Sequence, residues 1–376
     1  MLLNTDQLNV LKACREGKSV AVFGEAGTGK TFLRDKVAAL GPSIILGPTG
    51  ASVANKSGAM TIARFMGATH KTVGDPTALA LSMRPPPGLA MMRIIIDEIS
   101  MVPADIFAAL NAALQRTLRS TNPFGGLKVA LFGDLFQLRP PTTAGFFFEC
   151  TAFEGLVAAG LEVTSLKVQM RQHTSASRAD EFAVFLGNAR RGKLGVAAEA
   201  LLHELNGRAI PKGALHLFAT CSSAKKHNET ALLKHPGDVV TVGLSKFKLH
   251  APIVATRNKY EHGKLVYANG DRGIIVGFAT NAVAVVIGGS RHFVQIINGR
   301  VPLQLGFATT VHKAQGRTCS AVVVHGDGIF DAGQAYVAVS RVRGLQDLAT
   351  RGVHADDFAI AFPEKLTTFA ARFGLR

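Results

Sequence analysis

The chain has 376 residues, 47% hydrophobic and 18% charged, a composition that excludes a disordered chain and supplies apolar side chains for two or three packed domains. Its 42 lysines and arginines outnumber 26 aspartates and glutamates, a net charge of +16 spread along the chain and not gathered in a tail. Such a balance favours a polyanionic partner, nucleic acid first, although a generally solubilising charge reads the same. Cys14, Cys150, Cys221 and Cys319 lie far apart, with no Cys-x-x-Cys or Cys/His spacing, and predict buried thiols in a reducing compartment. No apolar run approaches the roughly 18 residues of a membrane span, and the first ten residues carry no signal-like segment. The expectation is a cytoplasmic protein with no membrane partner.

In chain order, Thr5 is placed to cap a helix that begins near Asp6 and carries Leu8, Leu11 and Cys14 on one side, with Gln7 in its first turn. The amide of Gln7 suits an adenine edge, and an exposed helical glutamine without a role looks the same. Ser19 to Phe23 (SVAVF) is an apolar strand, Gly24 to Thr31 reads GEAGTGKT, and residues 32–40 fit a helix. Gly24, Gly27 and Gly29 let the backbone, Thr28 included, turn tightly against an anion, so that N–H groups and the start of the helix face phosphates. Lys30 then reaches the β- and γ-phosphates, and the Thr31 hydroxyl binds Mg²⁺. This strand, loop and helix predict a nucleoside triphosphate site.

Ser43 to Leu46 is a second strand, followed by GPTGASVAN at 47–55, whose small and hydroxyl residues suit either a sugar-phosphate contact or a turn and helix cap. Residues 74–88 hold Pro76, Pro85, Pro86 and Pro87, which argue against a central strand or helix and for an excursion from the first core. Arg93 to Ser100 (RIIIDEIS) is a buried strand ending in two carboxylates: Asp97 to hold Mg²⁺, Glu98 to orient and deprotonate water. Lys128 to Pro140 (KVALFGDLFQLRP) is another strand, with Gln137 at its end either sensing a γ-phosphate or serving as a polar loop residue. Phe146, Phe147 and Phe148 read as core packing ahead of a base-stacking platform.

A second αβ region begins near Leu161. It holds the strand LEVTSL and then VQMRQ, whose Arg171 has the character of an arginine finger. Phe182, Leu186 and Ala189 form a core stripe ending at the Arg190, Arg191, Gly192 stop. A strand at 214–220 and a helix at 223–234 follow, and residues 257–300 change to short β-segments with an Asn269-Gly270 hairpin signal. The αβ pattern resumes with FATTVHKAQGRT at 307–318, AVVVH at 321–325 and QAYVAVSRVRG at 334–344. Alone, His312 reads as a structural histidine and Arg341 as a surface cation.

Taken together and in this order, Gln7, GEAGTGKT, GPTGASVAN, IIIDEISM, GDLFQLRP, the Arg171 motif, TTVHKAQGRT and YVAVSRVRGL resemble the 5′→3′ branch of superfamily-one helicases, with the Pif, RecD and Dda-like families. The resemblance spans nearly the whole chain. It implies an α/β fold of two tandem RecA-like phosphate-loop cores with a small β-barrel inserted in the second. The implied divisions are 1–165 for the first core, with a wedge-like excursion at about 68–92, then 166–256, the barrel at 257–302, and 303–376. It implies ATP and Mg²⁺ between the cores, Arg171 and Arg341 from the second core on the γ-phosphate, and Gln315 and Gly316 linking nucleotide to DNA. Thr49, Arg64, Phe65, Thr310, His312 and Lys313 would line a single-strand channel, with single-strand/duplex junctions as substrate and a monomer as the working state. The chain departs from the family pattern at Ala63, where histidine is frequent and Arg64 stands beside it, and at Arg139, where proline is more usual; it has no tryptophan. The competing readings are a basic nucleic-acid-binding protein with a nucleotide switch, a single-core phosphate-loop enzyme, and a translocase that strips proteins from DNA.

Overall fold

The computed structural model describes residues 3–53, 58–68, 75–140, 144–170, 178–261 and 264–375. The chain divides into two compact units, the first made of residues 1–193 and 360–376, the second of residues 194–359.

The first unit runs through α1 (Thr5–Arg15), β1 (Val20–Gly24), α2 (Lys30–Ala38), β2 (Ser43–Gly47), α3 (Gly50–Val53), β3 (Met60–Thr61) and α4 (Ile62–Phe65). It continues with α5 (Pro76–Ser82), β4 (Arg93–Ile96), α6 (Ala104–Leu118), β5 (Val129–Gly133), α7 (Thr151–Ala158), β6 (Glu162–Leu166) and α8 (Ala179–Arg190). The strands form one parallel sheet in the order β3-β2-β4-β5-β1-β6. β1 and β5 are buried along their whole length, because helices cover both faces of a parallel sheet. The strand period of two sorts their side chains: Val20 and Val22 enter one apolar cluster, Ala21 and Phe23 the other.

Several expectations change here. The strand at 162–166 does not open the second core: β6 pairs in register with β1, from Val20 opposite Glu162 to Gly24 opposite Leu166, and closes the first sheet. The division between units falls at 193/194, not 165/166. The cap of α1 is Asn4, not Thr5; Asn4 Oδ1 accepts from Gln7 N–H (2.9 Å) while Gln7 Oε1 accepts from Asn4 N–H (3.2 Å), a reciprocal box. The proline-rich stretch does hold a helix, because Pro76 sits in the first turn of α5, where its missing N–H costs nothing, and Asp75 caps Thr77 and Ala78. Residues 69–74 of that excursion lie outside the described residues. Phe146, Phe147 and Phe148 are core, as favoured above.

The second unit comprises α9 (Val196–Gly207), β7 (Leu215–Phe218), α10 (Cys221–Lys234), the hairpin of β8 (Val240–Val242) and β9 (Ser245–Phe247), and β10 (Pro252–Ala255). Next come β11 (Lys259–Glu261), β12 (Lys264–Tyr267), β13 (Arg272–Ala279), β14 (Ala282–Ile287), β15 (Ser290–Gln295) and β16 (Leu303–Leu305). β17 (Ala308–Thr310), α11 (Val311–Ala314), β18 (Val322–His325), α12 (Gln334–Val339) and β19 (Leu348–Arg351) complete it. A second parallel sheet has the order β17-β7-β18-β19. The inserted module is an antiparallel sheet ordered β15-β14-β13-β10-β16 with its own apolar core. Its end strands β15 and β16 do not pair with each other among the described residues, so these five strands alone do not close the expected barrel. Its first strand begins at Pro252 and its last ends at Leu305, so it exceeds the expected bounds 257–302 on both sides. Asn269-Gly270 does turn the chain, with Gly270 at φ 90°, but it links β12 of one hairpin to β13 of the five-stranded sheet and closes no hairpin itself. The chain's last helix, α13 (Glu364–Arg372), belongs to the first unit and not the second core: Phe369 stacks on Phe148 at 4.0 Å, and Arg372 and Lys365 pair with Glu154 and Glu149. Among the described residues no helix is long and apolar enough to cross a membrane.

Candidate active site

At the carboxyl end of β1 the loop 24–29 leads into α2 as anticipated. Gly27 and Gly29 take φ of 94° and 82°, the left-handed region that glycine enters without strain. A Cβ at Gly24 would stand 2.7 Å from Thr28 Oγ1, and one at Gly29 would stand 2.8 Å from Gln7 Nε2, so neither position has room for a side chain. Thr28 is fully buried, its hydroxyl donating to Glu25 O at 2.9 Å. Lys30 Nζ donates to Gly24 O (2.7 Å) and Glu25 O (2.8 Å), folded back along the loop. Burial pushes the Lys30 ammonium down from its ordinary pKa, against the upward pull of Asp134, Glu98 and Asp97. Thr31 is exposed on the first turn of α2.

Asp97 and Glu98 follow β4. Asp97 is 5% exposed; Oδ1 accepts from Glu98 N–H at 3.0 Å and Oδ2 is ion-paired with Nη1 of Arg34, itself buried on α2. Burial works against the Arg34 charge, and Asp97 and Asp35 more than restore it. Glu98 has φ 53° and ψ 45°, a left-handed conformation uncommon for a side chain of this size. It turns the chain sharply off the strand end.

At the end of β5, Asp134 is fully buried and accepts from Arg190 Nε (3.0 Å), Gln137 Nε2 (3.4 Å) and Phe136 N–H (3.2 Å). Arg190, on α8, also reaches Glu25 of the phosphate loop at 3.8 Å and lies over the Phe136 ring at 4.4 Å. A chain of charges Glu25, Arg190, Asp134 thus joins the loop to Gln137. The expectation that α8 ends on a plain helix stop missed it. The signal was present: an arginine continuing an apolar helical stripe is buried and requires a carboxylate partner. Arg34 was missed in the same way.

Gln7 is fully buried, and besides its capping bond it donates to Thr28 O at 3.3 Å, bracing the loop from below and not standing exposed. Arg171 lies outside the described residues; its neighbour Met170 donates its N–H to Gly27 O at 2.9 Å and Gln169 bonds Glu25 at 3.1 Å, so the segment leading into it is strapped to the phosphate loop of the first unit.

Of the residues assigned to a strand channel, Thr49 and Ser52 cap each other at the end of β2 (Thr49 Oγ1 accepts from Ser52 N–H at 3.2 Å) and Arg64 is exposed on α4. Phe65 is 5% exposed and packs in the first unit's apolar core, together with Ile62 on the same helix and Met66 at its end. In the second unit Thr310 is 5% exposed, its hydroxyl capping α11 by accepting from Lys313 N–H at 3.3 Å; His312 is half-buried and Lys313 exposed. Gln315 is buried and Gly316 turns at φ 76°. Arg341 is 5% exposed and donates to Val337 O (2.7 Å), Ser340 Oγ (2.7 Å) and Arg317 O (3.3 Å).

A glycine-shaped loop between a buried parallel strand and a helix, with carboxylates at the ends of β4 and β5, defines a phosphate-loop nucleotide-binding core of the RecA-like kind. The comparisons agree. The chain belongs to the PIF1-like helicase family, whose sequence model matches residues 2–199. The ATP-dependent DNA helicase PIF1 of Homo sapiens is 31% identical over 98% of this chain and 63% of that protein, so the chain spans less than two thirds of that relative's length. The ATP-dependent DNA helicase Pif1 of Bdellovibrio bacteriovorus is 28% identical over 92% of this chain and 87% of its own length. A crystal structure of a Bacteroides Pif1 bound to single-stranded DNA superposes with a TM-score of 0.79 at 25% identity, covering 100% of this chain and 97% of that one.

Proposed function

We propose that this chain is an ATP-driven motor that moves 5′→3′ on single-stranded DNA and opens single-strand/duplex junctions, working as a monomer in the cytoplasm. The observation that carries this reading is the gathering of Lys30, Thr31, Asp97, Glu98 and Gln137 at the carboxyl ends of β1, β4 and β5 in one sheet. Membership of a helicase family and a net charge of +16 supply the nucleic-acid side.

Lys30 now bonds two neutral carbonyls, and an incoming triphosphate offers it anionic oxygens in their place. The exposed Thr31 hydroxyl and the Asp97 carboxylate are hard oxygen donors that suit Mg²⁺, which would neutralise charge on the phosphates. Glu98 takes the proton of the attacking water, and Gln137, tethered to Asp134, senses the γ-phosphate. Arg171 and Arg341 are assigned to the charge that develops on that phosphate. Thr49, Arg64, His312 and Lys313 are assigned to the DNA backbone, with the proline-rich excursion as the wedge; contacts to phosphates allow stepping on any sequence.

The test is ATP hydrolysis with and without single-stranded DNA, for wild type and Glu98→Gln, at two salt concentrations. Strong DNA stimulation, lost in the variant and weakened by salt, is expected. Tight DNA binding without stimulated hydrolysis would overturn the motor in favour of a nucleotide-switched binding protein.

A further inference from the structure

The second unit carries a group of side chains that the nucleotide chemistry does not use. His216 lies on β7, His325 at the end of β18 and His227 on α10. β7 and β18 are neighbours in register, with Val323 opposite His216, so His216 and His325 emerge on the same face of the sheet by the two-residue period. The helix α10 follows β7 directly and brings His227 over that face: its ring centroid lies 4.2 Å from that of His216 and 5.8 Å from that of His325. Nδ1 of His216 stands 2.9 Å from Nε2 of His325. One ligand nitrogen from each of the three rings lies within 4.8 Å of the other two. All three residues are half-buried, and Phe218 backs the group, its ring stacked on His325 at 4.1 Å.

We propose that His216, His227 and His325 form a binding site for one divalent zinc-class ion, held by three imidazoles with the fourth position open to water.

Imidazole nitrogens suit zinc, which takes them at about 2.0–2.1 Å in a tetrahedral arrangement, placing the nitrogens roughly 3.3 Å apart. The observed separations, from 2.9 Å to at most 4.8 Å, bracket that value and need ring adjustments of about 1.5 Å at most. The ligands come from two strands and one helix of a packed unit, so most of the ordering that a metal site requires is already done by folding. Among the charged groups acting on the cluster, Asp327 favours a cation beside His325, whereas Arg351 and Lys234 oppose one. The bound ion would fasten α10 to the sheet. The residue after His227 is Asn228, which donates to Ala308 O (3.0 Å) and accepts from Ala308 N–H (2.8 Å), so the fastened helix is the one that holds β17.

The test uses the full chain without a histidine tag, loaded with zinc and dialysed, and compares wild type with His227→Gln and with Cys221→Ser, a change of an exposed thiol on the same helix. The proposal expects one zinc per chain in wild type and in Cys221→Ser, loss of that zinc in His227→Gln, and a zinc-dependent rise in melting temperature confined to the two that bind. Wild type that retains no zinc, zinc retained by His227→Gln, or zinc lost in Cys221→Ser would each overturn it. Cobalt substitution of wild type decides independently should His227→Gln fail to fold: visible bands of a four-coordinate ion without a thiolate charge-transfer band support the site, and a thiolate band or no bands refutes it.

Discussion

The first sheet ends in ionic groups that answer one another: Arg34 with Asp97, Arg190 with Asp134 and Glu25. In the second unit, just past α12, the bonds that Arg341 makes to Val337 O, Arg317 O and Ser340 Oγ go to uncharged acceptors. A buried arginine paired with a carboxylate is committed, since separating the pair leaves a desolvated charge. An arginine bonded to carbonyls can gain by moving to a phosphate, whose charge makes each hydrogen bond roughly twice as strong. By this criterion Arg34 and Arg190 hold the first site together, and Arg341 is the cation proposed above to act on a nucleotide.

The largest effect should come from breaking the second side of that contrast. Arg341→Ala is expected to lower DNA-stimulated hydrolysis about a thousandfold or more while leaving ATP binding largely intact, as measured by steady-state turnover beside nucleotide titration. A variant that keeps most of its turnover would return Arg341 to a structural role. Next is the committed side: Arg34→Met strands Asp97, which is 5% exposed, and should cost about 3–5 kcal/mol in urea unfolding. A loss below about 1 kcal/mol would mean that the pair is not what holds this corner of the site.

Smaller and more discriminating is the pair of neighbours on α4. Phe65→Ala should destabilise the chain by about 3 kcal/mol through the cavity it leaves, with DNA affinity unchanged in the molecules that fold. Arg64→Ala should leave unfolding unchanged and reduce the slope of log affinity against log salt by about 1, the loss of one phosphate contact. Interchanged results would put the aromatic ring back in the channel.

What could be read from the sequence was contiguous. Eight residues from Gly24 to Thr31 specify their own backbone, and two acids after an apolar strand need only the strand to place them, so the phosphate loop, Asp97 and Glu98 were legible. What was hidden depends on partners far along the chain: Arg34 with Asp97 at 63 residues, Arg190 with Asp134 at 56, His216 with His325 at 109. Such pairs exist only once strand order is fixed. The same holds for β6 and α13, whose residues fit either unit by pattern and are assigned by pairing with β1 and by the stacking of Phe369 on Phe148. The burial of Phe65 was not legible because an aromatic in a motif invites a stacking role, and only the fold shows that its neighbours Ile62 and Met66 are core.

The left-handed turns near these sites differ in residue type, and this gives the smallest effect. Gly27 and Gly29 in the first unit, and Gly316 and Gly333 in the second, both at φ 76°, are glycines. In the first, Glu98 takes φ 53° with a full side chain. That conformation costs a non-glycine residue roughly 1–2 kcal/mol, and glycine gives back about 0.5–1 kcal/mol of it in the entropy of the unfolded chain. Glu98→Gly should therefore be more stable than Glu98→Gln by about 0.5–1 kcal/mol in urea unfolding, although both lose hydrolysis. Glutamine is the proper reference because it keeps the side chain's bulk and removes its charge, so the comparison leaves the carboxylate's electrostatics out and sets backbone strain against side-chain packing. Should the glycine variant prove the less stable, the packing of this side chain would outweigh its strain. If it is the more stable, the strand end stores energy that the glycine turns avoid, at the residue assigned to activate water.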